Sequence, residues 1–232
     1  MTNLARNASP RSASADTAMT AHAQVYLRLR DMVLYGDLMP GQAVTIQGLT
    51  ESLTAGMTPV REAIRRLISQ GALELQGNRR VCVPLLTAAD IDEIIVAREW
   101  LDPYLTRKAV DYATGADIAA LTQVDRMLDG AIGQGDLRAY LHLNHQFHVA
   151  IYRLARSPIL TDLAEGLWLR FGPSMRVLCG RLGTQNLPDN HKQTLTAMEA
   201  GDADAAAAAI CADVRQGMDQ LRASLADKAA DG

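Results

Sequence analysis

Val25, Leu29, Met32 and Val33 recur at the spacing that puts side chains on one face of a helix, and the pattern opens at Ala21. Tyr35-Gly36-Asp37 ends it, and Met39-Pro40-Gly41 predicts a turn. A second, shorter helix is predicted over 46–53. Thr54-Ala55-Gly56-Met57 then leaves room only for a tight turn before a third helix, expected to start at Thr58-Pro59. Thr58 suits the N-cap there, and Pro59 suits the first helical position, where its missing N–H costs nothing. Val60, Ile64, Leu67 and Ile68 give that helix an apolar stripe that runs to Gln70 and stops at Gly71. Two β-prone pieces follow, 72–76 and 81–85, joined by Gly77-Asn78-Arg79-Arg80, whose Gly and Asn tolerate the left-handed backbone of a hairpin. Helix, helix, tight turn, helix, hairpin is the order of a winged helix-turn-helix.

After Thr87 the strand signals stop. Helical patterns cover 88–113, 117–133, 136–155, 159–179, 188–200 and 202–229. Thr87 and Asp117 are the expected N-caps, and the alanine run 205–209 fits a closely packed helix. Short connections predict antiparallel neighbours. The expected fold class is therefore mainly α, with a winged helix-turn-helix over 21–86 and an all-helical antiparallel bundle over 87–232. A flexible arm is expected over 1–20.

With 232 residues, 48% of them hydrophobic, the chain is long enough for two modest domains, and general disorder is excluded. No apolar run reaches the roughly 18 residues of a bilayer span. The polar start lacks the apolar core of a secretory signal, so no membrane partner is expected. Cys82, Cys179 and Cys211 form no CxxC pair, which argues against a disulfide scaffold and for a reducing cytoplasm. The net charge of −3 hides a split: seven Lys/Arg stand against five Asp/Glu in 21–86, and fourteen against twenty in 87–232. A basic module on an acidic one is compatible with DNA, which responds to the local field.

Candidate chemistry falls in two places. Arg61, Arg65 and Arg66 lie on the third helix, the first two on one face, and suit phosphate oxygens or a guanine edge. A solvated helix face is the plain alternative, which the helix-turn-helix context outweighs. Thr58 can contact a phosphate at the helix N-terminus while it caps. At the wing tip Asn78, Arg79 and Arg80 either enter a minor groove or simply keep the turn soluble. In the bundle, Asn144 and His148 share a helix face, and His142, His145 and His191 bring further imidazoles.

The stretch Gly56-Met57-Thr58-Pro59-Val60-Arg61-Glu62-Ala63-Ile64-Arg65-Arg66-Leu67 resembles the recognition helix of the GntR family of bacterial transcription regulators, which commonly opens T-P-V-R-E-A. Gly36-Asp37-Leu38-Met39-Pro40-Gly41 resembles that family's G-x-L-x-P-G turn. Arg98-Glu99-Trp100-Leu101-Asp102, Phe147-His148, and Asn190-His191 followed by Gly201-Asp202 resemble, in order, motifs of the FadR-type (FCD) ligand-binding bundle. The resemblance covers about 21–225. It implies DNA-contacting positions at Gln47, Thr58 and Arg61. The family's frequent Ser-Arg is replaced by Gly56-Met57, where Met57 can touch a thymine methyl instead.

Many FadR-type bundles hold a divalent metal. Here Asn144 stands at the family's Asp position, His148 and His191 match, and Asp213 stands where the last His is expected. Two imidazoles and a carboxylate are a ligand set for zinc, nickel, manganese or iron, with Asn144 as a weak neutral ligand or an effector contact. A metal-free polar effector pocket is the alternative. Arg98 matches an arginine that faces the effector pocket, where it would clamp a carboxylate; an ion pair with Glu99 or Asp102 is the other reading.

The function expected is a homodimeric, operator-binding transcription regulator, a repressor, controlled by a small organic acid and needing no organic cofactor. Its rival is a metal-dependent enzyme built on a helical bundle around His148, His191 and Asp213, although neither a nucleophile pattern nor HExxH accompanies them. A protein–protein adaptor is a third reading, against which the recognition-helix arginines argue.

Overall fold

The computed structural model describes residues 20–77, 80–182 and 189–230. The arm expected over 1–20, Thr20 apart, and the wing-tip pair Asn78 and Arg79 lie outside the described residues. The first module contains α1 (Ala21–Leu34), β1 (Ala43–Val44), α2 (Ile46–Leu53), α3 (Met57–Ser69), β2 (Glu74–Leu75) and β3 (Val81–Cys82). Helices α4 (Ala88–Tyr112), α5 (Gly115–Gln134), α6 (Leu137–Leu154), α7 (Pro158–Leu182), α8 (Asn190–Glu199) and α9 (Ala203–Ala230) follow.

Threonines cap four of the described helices, α1, α2, α4 and α5. Thr20 and Thr45 accept hydrogen bonds from the backbone N–H of Ala23 and Gly48, at 3.3 and 3.0 Å. Thr54 closes α2 in the left-handed region (φ 50°). The chain then reaches Gly56, which is the N-cap of α3. This corrects the expected start: Thr58 is the second helical residue and no side chain caps α3. Pro59 is the third, still in the first turn, where an N–H has no intrahelical acceptor. A second correction concerns α5. Its cap is Thr114, not Asp117; the Thr114 hydroxyl accepts from the Asp117 N–H while the Asp117 carboxylate accepts from the Thr114 N–H. The same reciprocal box holds Thr87 and Asp90 at the start of α4, as expected of Thr87.

The wing is more than the expected hairpin. Among the described residues its strands lie in the order β1-β3-β2, with Ala43 and Glu74 on either side of Cys82. Two residues of β1 are too few to show a period of two, and the paired parts of β2 and β3 are shorter than 72–76 and 81–85.

In the second module, connections of two or three residues join α4 to α5, α5 to α6, α6 to α7 and α8 to α9. Helix α4 packs along α9, which also carries α8. The main apolar cluster runs through both modules, from Leu29 and Val33 of α1 and Leu67 of α3 to Leu105, Tyr152, Phe171 and Val214. The seam is tight: a methyl group on Gly172 of α7 would lie 2.5 Å from the Leu34 carbonyl oxygen, so only glycine permits this approach of α7 to α1. The winged module is thereby fastened to the wall of the bundle that carries Trp168 and Phe171.

Candidate functional site

Helix α3 turns Val60, Ala63, Ile64 and Leu67 inward and leaves Thr58, Arg61 and Arg65 in water. Arg65 is held by Glu62 at 2.8 Å, with 75% of its side chain exposed. Such a pair is weak enough to open for a phosphate. Gln47, near the start of α2, is exposed and donates to Glu51 at 3.1 Å. Arg66 does not join this face. It lies roughly 140° around the helix from Arg61. Its guanidinium covers the Tyr26 ring of α1 at 3.7 Å, and its charge is exposed beside the groove towards α7. Arg80 is exposed at the base of the wing turn, where its carbonyl accepts from Gln76.

The bundle gathers a second group of side chains from different helices. Asp213 of α9 lies between two imidazoles, its Oδ2 3.0 Å from Nε2 of His148 on α6 and its Oδ1 3.6 Å from Nε2 of His191 on α8. The ligand atoms of these three residues all lie within 4.8 Å of one another. Behind them stand two further carboxylates. Asp125 of α5 is 3.4 Å from Nδ1 of His191, and Asp102 of α4 is 3.7 Å from Nδ1 of His148. Asp102 also accepts from Arg98 at 2.8 Å and from the Tyr152 hydroxyl, which itself accepts from the Trp168 indole at 3.3 Å. The Arg98 guanidinium is 4.8 Å from the ring centres of both Trp168 and Phe171.

Burial and neighbouring charge pull these groups apart. Burial alone would depress the His191 imidazole, but Asp213 and Asp125 outweigh it and raise its pKa to about 9. His148 moves the other way, because burial outweighs the contact with Asp213. The Asp213 carboxyl, which burial would raise, is held well below the usual carboxylate range by the two imidazoles. Around neutral pH the trio is a carboxylate, a cationic His191 and a neutral His148.

A cavity of about 50 Å³ opens beside the trio, lined among others by Arg98, Asn144, His148, Trp168, Met175 and Asp213. That is space for a few water molecules or an ion with a small ligand. The donors suit a divalent cation. Nε2 of His191 is buried without a hydrogen-bond partner, while its Nδ1 faces the Asp125 carboxylate. A carboxylate behind a histidine is how ligating imidazoles are oriented. Half-buried Asn144 lines the same cavity one turn before His148. Of the two readings of Arg98, the ion pair is the one formed, and its partner is Asp102; Glu99 pairs with Arg215 at 2.7 Å instead.

Residues 21–83 match the model of bacterial regulatory proteins of the gntR family, and residues 93–216 match the FCD domain. The chain belongs to the GntR family, with an FCD domain as its second half. It is 32% identical over 182 residues to the HTH-type transcriptional regulator McbR of Escherichia coli (strain K12), covering 77% of this chain and 82% of that protein. It is 23% identical over 212 residues to the regulator LutR of Bacillus subtilis (strain 168), covering 82% and 96%. The solved structure of E. coli McbR/YncC superposes with a TM-score of 0.83 at 28% identity over 89% of this chain and 99% of that one.

Membership in the GntR family decides between the regulator and the enzyme built on a helical bundle: these proteins are DNA-binding transcription regulators. Among the described residues, no helix of this GntR regulator is long and apolar enough to cross a membrane. Sequence reasoning passed over three residues of its bundle site. Tyr152 was within reach, since Asn144, His148 and Tyr152 follow at intervals of four on α6. Asp102 had been considered only as a partner for Arg98. No spacing pointed to Asp125, which meets His191 only across the fold.

Proposed function

We propose that this regulator is a homodimeric, cytoplasmic repressor whose operator affinity is set by a small carboxylate bound in the FCD domain beside a divalent cation. In this reading 21–86 is the operator-reading module and 87–232 the effector and dimerisation module. Gln47, Thr58, Arg61 and Arg65 meet DNA, with the wing turn Asn78-Arg79-Arg80 at the flanking backbone or minor groove. His148, His191 and Asp213 hold zinc, nickel, manganese or iron, with Asn144 beside them. A bound cation would supply a positive centre for an effector carboxylate. Arg98 and Asn144 line the remaining space and orient that carboxylate. The observation that supports the reading best is Asp213 between His148 and His191 in a cavity that also exposes a buried arginine.

The cavity has a physical connection to the operator-reading module. Trp168 contacts Arg98 and His148 on one side and His145 on the other, with ring centres 5.2 and 5.1 Å from the two imidazoles. Nδ1 of His145 is 3.2 Å from the hydroxyl of Tyr35, at the end of α1. An effector that displaces Arg98 or Trp168 shifts the seat of α1, and α1 packs on α3.

The test is metal analysis of untagged protein prepared without chelator, followed by titration of the upstream DNA of its own gene at fixed salt with and without cation. One bound cation per chain, lost in His148→Ala while operator binding persists, is the expected result. Absence of saturable binding of zinc, nickel, manganese and iron refutes the cation, and the cavity is then a hydrogen-bonded effector site.

A further inference from the structure

We propose that the groove between the two modules, walled by α1, α3 and α7, is a binding site for a free α-amino acid, whose carboxylate is taken by Arg30, Arg66 and Gln70 and whose ammonium is taken by Asp162 and Glu165. The groove has a volume of about 370 Å³. Small-molecule sites run to roughly 300–1,000 Å³. It shares no lining residue with the cavity beside Asp213, so it is a separate site.

Each wall contributes two polar side chains spaced to share a helix face: Tyr26 and Arg30 on α1, Arg66 and Gln70 at the end of α3, Asp162 and Glu165 on α7. The winged module thus supplies the cations and the bundle the carboxylates. These charges do not satisfy one another. Arg66 covers the Tyr26 ring at 3.7 Å, and its guanidinium has no anionic partner among the described residues. The Asp162 carboxylate has no hydrogen-bond or ion-pair partner among them either. Arg30 stands 3.5 Å from Asp31 and 3.7 Å from Glu165, and its Nε is buried without a hydrogen bond. The Tyr26 hydroxyl donates to Oε1 of Gln70 at 2.9 Å, which leaves the N–H groups of that amide to donate elsewhere.

One wall therefore offers donors that lack an acceptor, and the facing wall offers an acceptor that lacks a donor. A simple anion would fill the first and be repelled by Asp162 and Glu165. A simple cation would meet the reverse. A ligand with an ammonium and a carboxylate on one carbon matches both walls, and Leu27, Leu34 and Leu169 suit an apolar side chain on that carbon. Such a ligand would tie the end of α3 to α7. Arg61 and Arg65 lie on the same α3, so its position bears on the operator reading proposed above; binding itself depends on neither that reading nor the cation.

The experiment is calorimetric titration of the full chain with L-leucine, L-methionine and L-phenylalanine in turn, with operator titration in parallel. At least one of them is expected to bind saturably, one per chain. Its N-acetyl and its carboxamide derivatives, each lacking one charge, should bind about 10-fold more weakly or worse, as should the amino acid itself to Arg66→Ala and Asp162→Asn. Both side chains are exposed, so unchanged circular dichroism spectra are expected. Failure of all three amino acids to bind overturns the site. Equal binding of either derivative overturns the two-charge match, and binding indifferent to Arg66→Ala and Asp162→Asn overturns the location. Saturation should change the operator affinity of wild type several-fold, and unchanged affinity overturns the tie through α3. A ligand-free wild type that binds the amino acid but no operator overturns the function proposed above and not this site.

Discussion

Arg61 and Arg65 on α3 stand in water, whereas Arg98 on α4 is 4% exposed and locked to a fully buried Asp102. In the function proposed, the exposed arginines keep their hydration until a phosphate or base edge replaces it. Their contribution belongs to binding and not to folding, and it falls with salt. Arg98 has given up its water already. Asp102, Tyr152 and two aromatic faces hold its charge in place, so its site is part of the folded core. On the reading proposed, the α3 face can be altered without unfolding the protein, while a change in the Arg98 cavity acts on stability and response together.

The largest effect should come from breaking that buried pair. Asp102→Ala leaves Arg98 uncompensated and is expected to cost about 3–5 kcal/mol in urea unfolding. A loss below about 1 kcal/mol would mean that water reaches Arg98 and that the contrast with α3 is overstated. Asp125→Asn comes next. It removes the carboxylate behind His191, and calorimetric titration should show cation affinity reduced by about 10–100-fold. Equal affinity in the variant would remove Asp125 from the site.

Acid should loosen the seam between the modules. Burial depresses His145 from 6.5 to about 3. A histidine with a lowered folded pKa stabilises fully above its free value and loses that contribution as pH falls from 6.5 towards 3. By pH 5 the loss is about 2 kcal/mol. His145→Phe should flatten this limb of the stability profile, and an unchanged limb would assign it to other groups. Arg61→Ala should weaken operator binding by roughly 1–3 kcal/mol at fixed salt with no shift in melting temperature. A fall in stability of similar size would erase the distinction between the two arginine environments. The smallest effect belongs to Arg66→Ala. It should lower stability by about 0.5–1 kcal/mol through the lost contact with Tyr26 and leave operator affinity nearly unchanged. A loss of affinity matching that of Arg61→Ala would return Arg66 to the DNA face.

Much of the architecture could be read along the chain. The helical period and the glycine breaks located the helices of both modules to within a few residues. Cap chemistry was less secure, because Thr and Asp three residues apart form one reciprocal box and either can be taken for the cap, as at Thr114 and Asp117. Strand β1 was invisible, since pairing with β3 and not local pattern makes Ala43-Val44 a strand. Arg66 looked like Arg61 and Arg65 in composition, but its spacing already sets it roughly 140° around the helix from Arg61, and the Tyr26 ring on α1 gives it a partner there.

The sequence by itself determined a winged helix-turn-helix followed by an all-helical module, because periodicity, caps and breakers act over a few residues and survive without tertiary context. It also determined which imidazoles and carboxylates were available, and through the i, i+4 rule that Asn144 and His148 share a face. Tertiary structure decided what those groups meet. His191 and Asp213 are brought to His148 from α8 and α9, and Asp125 from α5, by apolar packing in which the charged groups have no vote until they are buried. Once they are buried, loss of water makes each depend on its neighbours; that desolvation commits Arg98 to Asp102, whereas exposed Arg61 keeps its water.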